Sequence, residues 1–454
     1  MVNTVCDAFG SMCKYLHGFR KLTTLPGGET MRRFKRCVVL AVFLGIFTVS
    51  SLFAAVEVTF WHGLARDPDK SSIDKIIADF EKENPNIKVK LVIVPAAETD
   101  STKLLTAVAA GTGPDLVYID RFTVPQRAAY DVLEPMDEYL KKNGVDIKKL
   151  MSDFYDFAVQ ECMFKGKYYA LPFDTDVRVM LYNVAMLNSV GLKEPPKTIY
   201  DLIKVADKLT KEGKKGQYDT VGFIPWYAQG WPYTWIYAFE GNIFDEKTGK
   251  FVFATDPGVI EAYKWQKSWA DRFGYEALNA FGSMQIGDLN PFTAGKLAMI
   301  VDGSWTISGI KMFAPKDFKY AISGIPTKSG KPVTWAGGWS LAIPKGAKHP
   351  VEAAKLAMYM ATKGQIQYAV DTLHLPTYKK ATNDLLKVDP SQKVFVDLLE
   401  NAKCRPPLPV GALLWDKLNE ARDNVLTGKK SVEKALMDVQ IEVQREYDKI
   451  MSSK

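Results

Sequence analysis

Between residues 56 and 119 the chain switches hydrophobic period repeatedly, and that alternation constrains the fold more than any other feature. Residues 56–61 alternate apolar and polar side chains as a strand does. Residues 72–83 then place Ile73, Ile76, Ile77 and Phe80 on one helical face, and Asn84-Pro85-Asn86 stops that helix. A second strand is predicted over 87–94 and a helix over 101–110. The turn Gly111-Thr112-Gly113-Pro114 leads into a third strand at 116–119. Parallel strands need a crossover, and a helix supplies it, so this order predicts an α/β fold with a mainly parallel sheet and helices on both faces.

A second region, about 183–333, has its own helices and strands, including an aromatic stretch at 226–239 and a helix over 257–272. Trp265 and Trp269 are four apart on that helix, which predicts core packing. Residues 349–373 predict one long amphipathic helix, and 410–450 a helical end broken at Thr427-Gly428-Lys429. No Ser/Gly linker or low-complexity segment divides the chain, as expected of two domains that exchange segments. At 454 residues there is enough chain for two such cores.

The N-terminal region has a different character. Arg32, Arg33, Lys35 and Arg36 precede an apolar run over 38–47, and small residues at Ala54 and Ala55 follow. This is the pattern of a cleaved secretory leader over 31–55, with 1–30 an over-called start and the mature chain beginning near Val56. An uncleaved membrane anchor is the alternative, since the apolar stretch is close to bilayer length. No cysteine follows the run, so no lipid anchor is expected. Localisation is therefore periplasmic or otherwise extracytoplasmic.

Residues 1–55 hold seven of the 59 Lys/Arg and two of the 52 Asp/Glu, so the net charge of +7 comes largely from this N-terminal stretch. The near-neutral body gives no electrostatic case for nucleic acid as a partner. Beyond the leader only Cys162 and Cys404 remain, either one disulfide or two thiols. His62, His349 and His374 are scattered, so no metal site is expected, and nothing calls for a cofactor.

Six segments in order resemble the family 1 extracellular solute-binding proteins, the group that includes maltose-binding proteins. They are residues 79–89, 109–117, Tyr169-Ala170-Leu171-Pro172 with Leu181-Tyr182-Asn183, Pro195-Pro196-Lys197-Thr198, Gly295 to Trp305, and Gly337-Gly338-Trp339-Ser340-Leu341-Ala342-Ile343. The resemblance covers essentially the whole body of the chain. It implies the two-lobed periplasmic-binding-protein fold, each lobe an α/β unit, joined by hinge crossings with ligand between. The expected lobes are 56–177 plus 339–390 and 178–338 plus 391–454. The implied function is capture of a sugar or oligosaccharide and delivery to the membrane permease subunits of an ABC importer. The chain is expected to be a monomer and not an enzyme.

Sugars are gripped by planar polar side chains on hydroxyls and by rings on C–H faces. Candidates at strand ends are Trp61, His62 and Arg66, then Asp120 and Arg121, then Asp174, Asp176 and Arg178. Trp231 and Tyr233 come from the aromatic stretch, and Gly337, Gly338 and Trp339 from the return crossing, where glycines suit a hinge or a close approach. The resemblance implies stacking roles for Trp305 and Trp415, and sugar contacts for Asp120, Arg121 and Asp176. Arg66, Arg121, Arg178 and Arg405 also leave open a phosphorylated polyol or phosphodiester, because guanidinium forks suit phosphate. A secreted glycoside hydrolase is the remote alternative. The chain has no Gly-x-Ser-x-Gly nucleophile elbow and no His-Glu-x-x-His helix.

Overall fold

The computed structural model describes residues 55–94, 101–214 and 216–453. Apart from Ala55, the expected leader and the stretch before it lie outside these residues. The predicted alternation is realised in order. Strand β1 (Val56–His62) is followed by helix α1 (Asp69–Glu83), which buries Ile73, Ile76, Ile77 and Phe80 and ends at Asn84. Next come β2 (Ile87–Ile93), α2 (Ser101–Ala109) and β3 (Leu116–Asp120), with β1 paired in parallel to both other strands. The chain continues through α3 (Asp156–Glu161), β4 (Ala170–Pro172) and β5 (Asp174–Thr175) and then leaves this sheet.

The second lobe starts with β6 (Arg178–Asn183). It adds α4 (Ile199–Leu209), β7 (Lys211–Glu212), β8 (Tyr218–Phe223), α5 (Pro232–Ala238), α6 (Pro257–Phe273), β9 (Leu297–Gly303), α7 (Thr306–Phe313) and β10 (Tyr320–Ser323). The return runs through β11 (Thr334–Trp335) to β12 (Trp339–Ala342), then α8 (Pro350–Tyr359), α9 (Gln365–Thr372) and β13 (Leu375–Pro376). A third connection, β14 (Ala402–Lys403), lies parallel to β11 and leads to α10 (Gly411–Leu426) and α11 (Val432–Ser452).

The sheets have strand orders β2-β1-β3-β12-β4 and β10-β6-β9-β8-β7. Each is more mixed than the opening pattern implied. β12 runs antiparallel to β3 and β4, and in the second sheet only β8 and β9 are parallel. The reason is connectivity: a strand arriving from the other lobe enters where the parallel strands leave. Trp339 pairs with Asp120, the last residue of β3, and Arg178 pairs with Gly303, the last of β9. The ends of β3 and β9 and the starts of β6 and β12 therefore all lie at the crossing region.

The single helix expected over 349–373 is instead α8, a π turn at Met360–Gly364, and α9. At Gly364 the chain passes so close to Ile76 that a Cβ would lie 2.9 Å from its Cγ2. The widened turn is where the helix adjusts to α1, which α9 grips through Ser72 Oγ donating to Asp371 (3.1 Å). Trp269 is fully buried between Phe223 and Trp265, as its spacing predicted. Cys162 and Cys404 are free thiols, and the Cys404 thiol donates to Gln160 Oε1 (3.4 Å).

The crossings are tied together by one side chain. Arg121 is 0% exposed, and its Nε donates to Glu161 Oε2 (3.2 Å). Its two terminal nitrogens donate to the carbonyls of Asp174 and Gly337, the first also reaching the Trp339 carbonyl at 3.3 Å. Gly338, at φ 126°, leaves room for this fork, since a Cβ there would overlap the guanidinium. Burial pushes the Glu161 carboxyl upward in pKa, while Arg405 and Arg121 oppose it. Arg121→Met should leave Glu161 and two carbonyls under-paired and destabilise the fold by about 3–5 kcal/mol. Urea unfolding measures this; a loss below about 1 kcal/mol, the range of an exposed pair, would refute the strut.

Candidate functional site

A cavity of about 540 Å³ opens where the two lobes meet. The first lobe contributes Asp69 from the start of α1, Trp339 from β12, and Thr372 and His374 from the end of α9. The first crossing contributes Asp174, Thr175 and Asp176. Ser304, Trp305, Ile307 and Lys311 come from the second lobe, just beyond β9. Such a crevice beyond strand ends is where α/β sheets bind ligands.

Trp305 is the exposed ring of this wall, at 44% of its surface. A Cβ on Gly303 would overlap its six-membered ring, so the indole lies over bare backbone. The Arg178 guanidinium lies 5.3 Å from the Trp305 ring and 3.4 Å from the buried Trp335 ring. Trp335 leads on to Trp415 (6.1 Å), which also meets Trp231 at 5.3 Å and stacks on Tyr233 at 5.6 Å. Trp231 and Trp415 are partly exposed and stand outside the cavity lining. On the first lobe, Trp339 stacks on Tyr118 at 5.5 Å.

The carboxylates divide into anchors and open acceptors. Asp174, 2% exposed, accepts from the Trp339 amide (3.1 Å) and the Tyr118 hydroxyl (3.1 Å), and meets His374 Nδ1 at 3.2 Å. Asp176 Oδ1 accepts from the Gly337 amide (2.8 Å) and from Arg178. Asp69 Oδ1 accepts from the Tyr368 hydroxyl (2.6 Å). The second oxygens of Asp69 and Asp176 bear no hydrogen bond among the described residues.

Several expected contacts lie elsewhere. Arg121 is wholly enclosed at the crossing and presents nothing to a ligand. His62 is buried against Phe60 (5.3 Å), and burial holds it neutral with its pKa pushed down to about 4. Tyr233 is buried beneath Trp415, so it supports a ring rather than offering one. Trp61 lines a separate hollow with Thr102 and Thr106, and Arg66 is exposed before α1, outside the cavity lining. Gly337 and Gly338 admit Asp176, Arg178 and Arg121 rather than a ligand. Asp120 caps the next turn through the Phe122 amide (3.0 Å) and pairs with Arg405 (2.8 Å), not with Arg121. A hollow of about 520 Å³ beside β14, lined by Phe157, Tyr237 and Cys404, gathers none of the expected residues.

Asp69, Lys311 and His374 were missed. Asp69 opens a helix, where an acid reads as favourable to the dipole, and Lys311 looks like a solvated helix residue. His374 is 200 residues from its partner Asp174, and no local pattern links them.

The model of the bacterial extracellular solute-binding protein family matches residues 66–367. The maltotriose-binding protein of Pyrococcus abyssi is 27% identical over 390 residues, covering 82% of this chain and 78% of its own. The sn-glycerol-3-phosphate-binding periplasmic protein UgpB of Escherichia coli is 24% identical over 438 residues, covering 88% and 94%. The solved structure of CpMnBP1 with mannotriose bound is similar at a TM-score of 0.72 and 30% identity, covering 86% of this chain and all of that one. The first two are named as binding proteins, and the third holds mannotriose. With two α/β lobes meeting at a ring-walled crevice and a family match across most of its body, this chain belongs to the bacterial extracellular solute-binding proteins.

Proposed function

We propose that the protein captures a neutral sugar, most suitably an oligosaccharide, outside the cytoplasmic membrane and passes it to the permease of an ABC importer. The observation that carries this reading is the pair of rings Trp305 and Trp339 lining one cavity with Asp69 and Asp176, whose second carboxylate oxygens are open. Rings bind the apolar faces of pyranoses, and carboxylates accept from their hydroxyls. The names of the maltotriose- and mannotriose-binding relatives support the same class.

The phosphorylated alternative, for which the glycerol-phosphate-binding relative speaks, has weaker support from charge. Arg121 is spent on Glu161 and carbonyls, Arg178 on Asp176, and Arg405 on Asp120 and Glu161. The cavity wall itself carries three carboxylates against Lys311 and His374, which opposes an anion. Catalysis has no support either, because Asp174 is tied to Trp339, Tyr118 and His374 and Asp176 is engaged by Arg178. The protein acts as a monomer, without nucleic acid, after removal of its leader near Val56. No helix among the described residues is long and apolar enough to cross a membrane.

Isothermal titration with maltotriose and mannotriose tests the stacking. Trp305→Ala and Trp415→Ala should each lower affinity about 30-fold, the equivalent of about 2 kcal/mol for a buried ring, with little salt dependence. Wild-type affinity in both variants would sink this reading, and binding lost steeply with salt would favour an anionic ligand. Gly303→Ala, which displaces the Trp305 ring without removing it, should lower affinity about threefold to tenfold in the same titration; unchanged affinity would dissociate the ring's placement from binding. Saturating sugar should also shrink the radius of gyration in small-angle scattering, as the lobes close on it. A radius that stays constant would count against closure.

A further inference from the structure

His374 turns both ring nitrogens toward carboxylates, one at hydrogen-bond distance and the other at ion-pair distance. Leu373, at φ 62°, ends α9 in a left-handed turn, and the next amide donates to Thr372 Oγ1 at 3.2 Å. The ring then reaches the cavity wall between two acids, with Nδ1 3.2 Å from Asp174 Oδ2 and Nε2 3.6 Å from Asp69 Oδ1. Its side chain is 41% exposed, so it borders the cavity rather than being sealed from it. Tyr368 packs edge-on against it at 5.3 Å and donates its hydroxyl to Asp69. Tyr118 donates to the same Asp174 oxygen that His374 meets. Asp176 lies on the crossing beside it, and Lys311 faces the cavity from α7.

Only the imidazolium carries a proton on both nitrogens. A neutral ring would donate to one carboxylate and turn a lone pair toward the other, leaving two acids close together without a cation between them.

We propose that His374, as an imidazolium bridging Asp174 and Asp69, is a ligand-positioning residue that couples sugar affinity to pH. The bridge holds Asp69 Oδ1 and leaves its second oxygen aimed for a ligand hydroxyl. This rests on the reading of the cavity as the sugar site. Burial works against the charged ring, but Asp174, Asp69 and Asp176 outweigh it and raise the pKa above the ordinary imidazole value. The bridge is therefore complete below that raised pKa and is lost as pH rises through it. On the acid side Asp174 is the vulnerable partner, because burial raises its carboxyl pKa.

Two measurements together decide it. Histidine ring resonances followed by NMR, assigned with His374→Asn, should show His374 titrating above about 6.5, and Asp69→Asn should lower that midpoint. Isothermal titration with maltotriose and mannotriose should show affinity falling about tenfold between about pH 6 and about pH 9 in the wild type. His374→Asn should bind about tenfold more weakly at about pH 6 and show no such decline. A His374 midpoint at or below about 6.5 in the wild type would overturn the bridge whether or not the variant folds. Tight binding with parallel pH profiles in wild type and variant would overturn the coupling while leaving the sugar reading intact. Failure of both sugars to bind the wild type, with a high midpoint, would instead strike the sugar reading and the coupling built on it.

Discussion

A buried guanidinium is the constraint on which the rest of the structure depends. Arg121 stands at the end of β3, and its hydrogen bonds reach α3, the first crossing and the return crossing at once. A charge removed from water is costly unless every donor is used, and here backbone carbonyls and Glu161 use them. The arrangement fixes the two crossings side by side, with Thr334 Oγ1 accepting from the Arg178 amide and donating to its carbonyl. The crevice edges inherit their alignment from that lock. Gly338 is part of it, because no residue with a Cβ leaves space for the fork.

The same logic sorts the other arginines. Arg178 lies between Trp335 and Trp305 and is paired with Asp176, and Arg405 lies over Phe122 (4.1 Å) and is paired with Asp120. Coulomb attraction over short distances in a partly desolvated region makes an internal carboxylate a strong competitor for any guanidinium. A crevice rich in arginine by sequence thereby becomes one in which the guanidiniums are engaged internally, leaving Lys311 beside the open oxygens of Asp69 and Asp176. Chemistry of that kind suits hydroxyl groups better than phosphate.

The aromatic residues divide by support rather than by type. Trp235, Trp269 and Trp335 are interior, and the first donates its indole N–H to the Pro225 carbonyl (2.6 Å). Trp415 stays at the surface because Tyr233 and Trp335 fill the space beneath it. Trp305 stays exposed because Gly303 gives it bare backbone to rest on. Rings held this way lose little conformational freedom on binding, which favours affinity for a weakly polar ligand.

The sequence by itself determined the α/β class, the order of elements from β1 to β3 and the two-lobed plan. Those properties follow from apolar periodicity, from Gly and Pro punctuation and from motif order, all of which are local. Tertiary structure alone decided which polar residues face the crevice. Arg121, His62 and Tyr233 occupy strand ends or aromatic runs like those of true wall residues, yet long-range packing encloses them. Asp69 and His374 look unremarkable along the chain and meet only because α1 and α9 pack together beside the first crossing. Side-chain direction at a domain crossing depends on partners hundreds of residues away, and periodicity carries no information about them.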